Sequence, residues 1–255
     1  MTVPAHLYIL TGASRGMGLA MAGQLLQPGN TLLCISRRSN DALTAQAQAR
    51  GAQLLQWQAD LADGASVARR LRDWLATQNP AELASATLIN NAGVIARIAP
   101  LGQADAADLA NALRVGLEAP MQLSAAFIGA TDAWAVPRKV LNISSGLGRR
   151  AMASQSAYCA AKAGMDHFTR CLALDEAIKP RGARVCSLAP GVIDTDMQVQ
   201  LRGAPGQDFP DQGNFQQLKD KGMLSSPQDA AANVLAFLNR ADFGANPVAD
   251  VRDPA

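Results

Sequence analysis

Short apolar runs alternate with helical patterns along most of the chain. The first run, His6–Leu10, reads as a buried strand, and Met17–Gln27 reads as a helix stopped by Pro28-Gly29. The alternation repeats with a strand over Thr31–Ile35 and a helix over Ala42–Arg50, then a strand over Gln53–Gln58 and a helix over Ala65–Thr77. A fourth strand at Thr87–Asn90 precedes a long helix from about Ala106 to Ile128, and a fifth at Lys139–Ser144 precedes a helix over Ala157–Ile178. Ala183–Leu188 reads as a sixth strand, Ala230–Asn239 as a last helix and Asn246–Val251 as an edge strand. Strands joined this regularly through helices imply a parallel sheet covered on both faces, because parallel neighbours need a crossover and each helix must bury its own apolar stripe.

Right-handed crossovers then give a Rossmann-type doubly wound parallel sheet, an α/β fold whose ligand crevice lies at the carboxyl ends of the strands. No Gly/Ser-rich or charged linker divides the 255 residues, so the whole chain, 1–255, reads as a single domain. The stretch from Val192 to Ser226 breaks the pattern with Gly203, Pro205, Gly206, Pro210 and Gly213 among apolar residues. A loop of that length within a compact domain is expected to be a substrate lid; the alternative is a surface insertion.

Composition narrows the function classes. The net charge is +2 with both signs scattered, which leaves no basic stripe for nucleic acid or a lipid surface. No apolar run reaches the roughly 18 residues that span a bilayer, and the N-terminus lacks the pattern of a signal peptide. Cys34, Cys159, Cys171 and Cys186 show no paired spacing and fall within expected strands or helices. They read as reduced, buried thiols, and the expected location is the cytoplasm. His6 and His167 do not complete a zinc site with these cysteines, so no metal is expected.

Two constellations carry candidate chemistry. Gly12, Gly16 and Gly18, with Ser14, Arg15 and Met17 between them, follow the first strand and open a helix. Glycine permits the tight turn and lets a pyrophosphate approach amide N–H groups at a helix N-terminus. The tip of the second strand is Ile35-Ser36-Arg37-Arg38 and has no acid to bond a ribose hydroxyl. Arg37 and Arg38, with Arg15, suit a 2′-phosphate, so NADPH/NADP is expected over NADH; the other reading leaves Arg37 and Arg38 solvated. The second constellation is Ser145, Tyr158 and Lys162. Tyr158 and Lys162 stand four apart on one helix face, and Ser145 ends the fifth strand. A hydroxyl, a phenol and an ammonium converging there can protonate a carbonyl oxygen while a hydride arrives. Unit charges about 4 Å apart at an effective dielectric of about 20 interact by about 4 kcal/mol, so Lys162 is expected to lower the Tyr158 pKa by about three units.

With these residues in place the chain resembles the short-chain dehydrogenase/reductase family. The resemblance rests on Thr11 to Gly18, Asp60-Leu61, Asn90-Asn91-Ala92-Gly93, Ser145, Tyr158-x-x-x-Lys162 and Pro190-Gly191-Val192-Ile193-Asp194-Thr195, in that order. The C-terminal third, from Ala189 to Gln198, Phe215 to Gly222 and Asp242 to Asp250, is similar to the subgroup holding sepiapterin reductases and benzil or other diketone reductases. The resemblance implies that Asp60 and Leu61 flank the adenine and that Asn91, Ala92 and Gly93 line the cofactor channel. Pro190, Gly191, Ile193 and Thr195 then lie along the cofactor, with Ile193 and Thr195 on the nicotinamide carboxamide. It further implies that Lys162 bonds the nicotinamide ribose and that Asp250 anchors the substrate. A homodimer or homotetramer built on the long helices is expected.

One position departs from the family. Gly116 stands where the family usually has an asparagine that kinks the long helix around a water. A working enzyme with an altered proton relay is expected, and Gly116→Asn is expected to equal or exceed the parent. The leading expectation is an NADPH-dependent carbonyl reductase acting on a ketone or vicinal dicarbonyl. The alternatives are an NADP-dependent alcohol dehydrogenase and a non-catalytic dinucleotide-sensing regulator.

Overall fold

The computed structural model describes residues 5–254. Seven parallel strands form one sheet in the order β3-β2-β1-β4-β5-β6-β7. They are β1 (Ala5–Thr11), β2 (Thr31–Ser36), β3 (Gln53–Gln58), β4 (Leu83–Asn90), β5 (Arg138–Ile143), β6 (Arg184–Ala189) and β7 (Val248–Asp250). The connecting helices are α1 (Gly16–Leu25), α2 (Asp41–Arg50), α3 (Gly64–Leu75), α4 (Ala106–Leu113), α5 (Ala119–Thr131), α6 (Ser156–Ala177), α7 (Asp196–Gly203), α8 (Gln212–Asp220) and α9 (Pro227–Leu238).

The inner strands are largely buried, which is why they read as apolar runs and not as alternating ones, while β3, at the sheet edge, keeps Gln53 and Gln58 exposed. On β1, Leu7 and Ile9 enter a core with Leu71, Leu123 and Phe127 from α3 and α5. Leu10 enters the opposite core with Met21, Val234 and Leu238 from α1 and α9. The chain reverses its winding between β1 and β4, which pair directly from Ala5↔Leu83 to Leu10↔Ile89. That switch point is where a doubly wound sheet opens a crevice.

Three sequence expectations change. The long helix is two helices, α4 and α5, joined by a π-helical turn at Arg114–Glu118 with Gly116 at its centre. Glycine, with Pro120 one turn on, leaves the i→i−4 ladder easy to reroute here. The segment 192–226 is not an open loop, since α7 and α8 form within it. They enclose a small core of Ile98, Leu201, Phe209 and Phe215, in which Phe209 and Phe215 stack at 5.6 Å. Of the four free thiols only Cys34 and Cys186 are buried; Cys159 is half-buried and Cys171 is exposed on α6.

Candidate active site

A cavity of about 1010 Å³ runs along the carboxyl ends of the strands. One end is the turn between β1 and α1. Gly12 has φ +72°, and a Cβ there would sit 2.9 Å from the Cα of Ala92. A Cβ on Gly18 would lie 2.1 Å from the carbonyl oxygen of Gly12, so only glycine lets α1 start this close to the strand. The turn is clamped from β4. Asn91 donates from its amide to the carbonyl oxygens of Thr11 and Gly12 at 3.0 and 3.3 Å, and the Thr11 hydroxyl accepts from the N–H groups of Asn91 and Ala92. Thr11 is thus a positioning residue beyond the glycines themselves.

The first turn of α1 has no side-chain cap and no acidic residue. Its N–H groups are left for a ligand, and the positive end of the helix dipole faces the cavity. A cradle that excludes any Cβ and ends in an uncapped helix fits a pyrophosphate. Beyond it the walls hold Ser36, Arg37, Asp60 and Leu61, where an adenosine end would lie. Asp60 is oriented by the N–H of Ala62, which it accepts at 2.9 Å.

Ser14, Arg15, Gly16, Met17, Ala92, Gly93, Pro190, Gly191, Ile193 and Thr195 also line the cavity. Arg38 does not line it; it follows Arg37 at the strand tip and is exposed. Arg15 lies at the mouth but is paired, its guanidinium reaching Asp196 in the first turn of α7 at 2.8 Å. The arginine cluster read from sequence therefore reduces to Arg37, itself exposed, on the cavity wall and a strap between the glycine turn and α7. The 192–195 segment is held closed from the other side, where Ile193 bridges Ser225 and the Asp194 N–H donates to the Ser225 carbonyl at 3.0 Å.

At the far end Ser145, Tyr158 and Lys162 line the same wall. Ser145 follows β5 and caps a short turn by accepting from the Leu147 N–H at 3.2 Å. Tyr158 and Lys162 sit one turn apart in α6, and the Lys162 ammonium lies 5.7 Å from the centre of the Tyr158 ring. Lys162 is buried and donates to the Ile143 carbonyl at 2.6 Å.

Burial pushes the Lys162 pKa down to about 8, with the carboxylate of Asp166 working against that fall. The Tyr158 phenol is raised above its ordinary value, because desolvation outweighs the hydroxyl of Ser145, which favours the phenolate. The expected lowering of Tyr158 by its lysine is absent, since both groups are desolvated and the ammonium is turned to a backbone carbonyl. Asp166, one turn beyond Lys162, was missed by sequence reasoning. It accepts from the hydroxyls of Ser144 and Ser187 at 2.6 Å each and pairs with Arg149, pinning the ends of β5 and β6 beneath the site. Its i+4 spacing from Lys162 was the available signal.

Asp250 is buried at the end of β7 and lines the cavity, with both carboxylate oxygens engaged by Arg252 at 2.7 Å. Asn111 on α4 also faces the cavity, a polar residue that no motif marked. The walls between these groups are apolar, with Val115, Met152, Met197, Leu201 and Phe215.

A glycine turn ahead of an uncapped helix and a phenol, a hydroxyl and an ammonium, all lining one cavity at the strand ends, fit a dinucleotide-dependent oxidoreductase. The family profile for short chain dehydrogenases matches residues 6–205. The chain belongs to the short-chain dehydrogenase/reductase family, oxidoreductases that use a nicotinamide dinucleotide on carbonyl and alcohol groups. It is 35% identical over 235 residues to a benzil reductase ((S)-benzoin forming) of Bacillus cereus, covering 92% of this chain and 94% of that protein. It is 33% identical over 256 residues to the sepiapterin reductase of Meriones unguiculatus, covering 96% and 95%. A short-chain dehydrogenase/reductase from Burkholderia vietnamiensis of known structure superposes with a TM-score of 0.63 at 34% identity, covering 99% of each chain. Among the described residues no helix is long and apolar enough to cross a membrane.

Proposed function

We propose that the protein is an NADPH-dependent carbonyl reductase that reduces a ketone or vicinal dicarbonyl. The observation that carries this reading is one continuous cavity with the glycine turn at one end and Ser145, Tyr158 and Lys162 at the other. The likeness to benzil and sepiapterin reductases supports the substrate class. Arg37, a guanidinium lining the cavity at the tip of β2, where no acid stands, supports NADPH.

The glycine turn and the first N–H groups of α1 would hold the pyrophosphate. Arg37 would face the 2′-phosphate, with Asp60 and Leu61 beside the adenine. Ile193 and Thr195 would orient the nicotinamide, and Lys162, beside Gly93, would meet its ribose. When bound, the cofactor supplies a hydride to the carbonyl carbon. Tyr158 donates its phenolic proton to the carbonyl oxygen as negative charge grows there. Its raised pKa keeps that proton in place at neutral pH. The Ser145 hydroxyl donates to the same oxygen. Lys162 supplies the positive charge that offsets the phenolate left behind, and solvent returns the proton. The Arg15–Asp196 pair ties the glycine turn to α7 beside the cavity.

The active form is a homodimer or homotetramer. Leu113 and Met121 flank an apolar groove over α4 and α5, and Leu174 on α6 and Ile178 just beyond it stand exposed. Four free thiols fit a reducing compartment, the cytoplasm.

The test is NADPH oxidation followed with benzil and with 1-phenyl-1,2-propanedione, set against NADH. Turnover with NADPH at a higher kcat/KM than with NADH is expected. A preference for NADH would overturn the cofactor assignment, and a failure to reduce any ketone or dicarbonyl would overturn the activity.

A further inference from the structure

A buried carboxylate in the wall of a substrate cavity ordinarily marks where a ligand's N–H donors dock, because its oxygens must be satisfied. Asp250 is such a group, with its side chain 12% exposed. Its partners all come from two residues on. The Arg252 Nε and Nη2 donate to Oδ1 and Oδ2 at 2.7 Å each, and the Arg252 backbone N–H donates to Oδ1 at 3.0 Å. Arg252 itself is 76% exposed, so it lies over the carboxylate from the solvent side.

This arrangement is fixed by the backbone around it. The Val251 N–H extends the sheet ladder to the Ala189 carbonyl at 3.0 Å. Asp253 accepts from the Asp250 N–H at 2.7 Å, and its own N–H donates to the Asp250 carbonyl at 2.9 Å. Arg240, just beyond α9, donates to the carbonyls of Asp253 and Pro254. The turn that aims Arg252 at Asp250 is therefore closed by three independent ties.

We propose that Arg252 is a specificity-determining residue. Its guanidinium holds both oxygens of Asp250 and makes that wall of the cavity neutral, selecting carbonyl compounds with apolar or aryl arms over those that end in a planar pair of N–H donors. Met152, Met197, Leu201 and Phe215 add apolar wall that suits such arms, with Asn111 and Gln198 as polar exceptions. A substrate bearing two parallel N–H groups would have to displace a bidentate, charge-assisted pair before it bound. The inference rests on the carbonyl reductase reading and names the substrate class within it.

Removing the guanidinium leaves Asp250 able to stay ionised. Its carboxyl lies below the ordinary range, chiefly through Arg252, but the Arg252 backbone N–H and the Arg149 charge act in the same direction. Arg149 is held beside it, donating to the Ala249 carbonyl at 2.7 Å. Arg252→Ala therefore unmasks a carboxylate.

The experiment compares wild type, Arg252→Ala and the double variant Asp250→Asn/Arg252→Ala. Two readouts are taken: kcat/KM for sepiapterin over kcat/KM for benzil, and the affinity of the NADP-loaded protein for pterin by fluorescence. The pyrimidine ring of both pterins presents two adjacent N–H donors. In Arg252→Ala the ratio and the pterin affinity rise roughly tenfold or more, as a hydrogen bond to a charged group warrants. Both gains disappear in the double variant. An unchanged ratio and affinity in Arg252→Ala, or gains that persist without Asp250, would overturn the proposal. Wild type that reduces neither compound defeats the reductase reading instead, and pterin binding still decides the masking.

Discussion

The ammonium of Lys162 is anchored on the carbonyl oxygen of Ile143 at 2.6 Å, and from there it lies 5.7 Å from the centre of the Tyr158 ring. The residue that follows Ile143 is Ser144, whose hydroxyl donates to Asp166, and next comes Ser145. One strand end thus positions the cation and the hydroxyl of the site together.

That anchor sets a pH limit. Lys162 titrates near 8, below the ordinary lysine value, so raising the pH through about 8 removes its charge. Tyr158 is shifted the other way and keeps its proton over the same range. The expected kcat/KM for reduction is level below about 8 and falls above it. Lys162→Met should be slow at every pH and lose the descending limb. A pH–rate profile of both proteins checks this, and a limb that survives in Lys162→Met would assign it to another group.

Gly18→Ala places a Cβ 2.1 Å from the Gly12 carbonyl oxygen if nothing moves. Relief requires α1 to shift away from β1. A loss of about 1–3 kcal/mol in stability is expected, as for overpacked cores, together with a large loss of NADPH affinity. Thermal unfolding with and without NADPH reads both effects.

Arg37 and Arg38 separate by position, because only Arg37 lines the cavity. Arg37→Ala should lower kcat/KM with NADPH by roughly ten- to a hundredfold, the worth of one charged hydrogen-bonded contact, and leave NADH nearly unaffected. Arg38→Ala should change either cofactor by less than about twofold. Steady-state kinetics with both coenzymes distinguishes the pair.

Gly116 sits at the centre of the π turn, where a Cβ would come 3.1 Å from the Ala161 Cβ on α6. The expectation that asparagine there would match or improve the enzyme now meets a packing objection. Gly116→Asn should cost about 1–3 kcal/mol, and adding Ala161→Gly should recover part of it. Denaturant melts of the single and double variants test the coupling.

Much of this was legible in the sequence because the physics was local. β2 shows as an apolar run, since a strand buried on both faces has no polar alternation to hide it. The first residues of β4, Leu83–Ala86, were missed, because Ala and Ser carry little strand signal and only pairing with β1 and β5 makes them a strand. α7 and α8 were hidden by Gly203, Pro205, Gly206 and Pro210, which punctuate the segment even though Phe209 and Phe215 give it a core. Ser145, Tyr158 and Lys162 were readable from spacing. The Arg15–Asp196 strap joins residues 181 positions apart, and the Asp250–Arg252 pair depends on a turn closed by Asp253, so neither could be read from the chain.

In the proposed reaction Tyr158 delivers the proton to a carbonyl reduced by bound NADPH. The most direct test is NADPH consumption with benzil by wild type and Tyr158→Phe, each first shown to bind NADPH. Turnover by wild type and a loss of about 10²–10⁴-fold in Tyr158→Phe with NADPH affinity retained is the expected result. Near-normal turnover by Tyr158→Phe would contradict it.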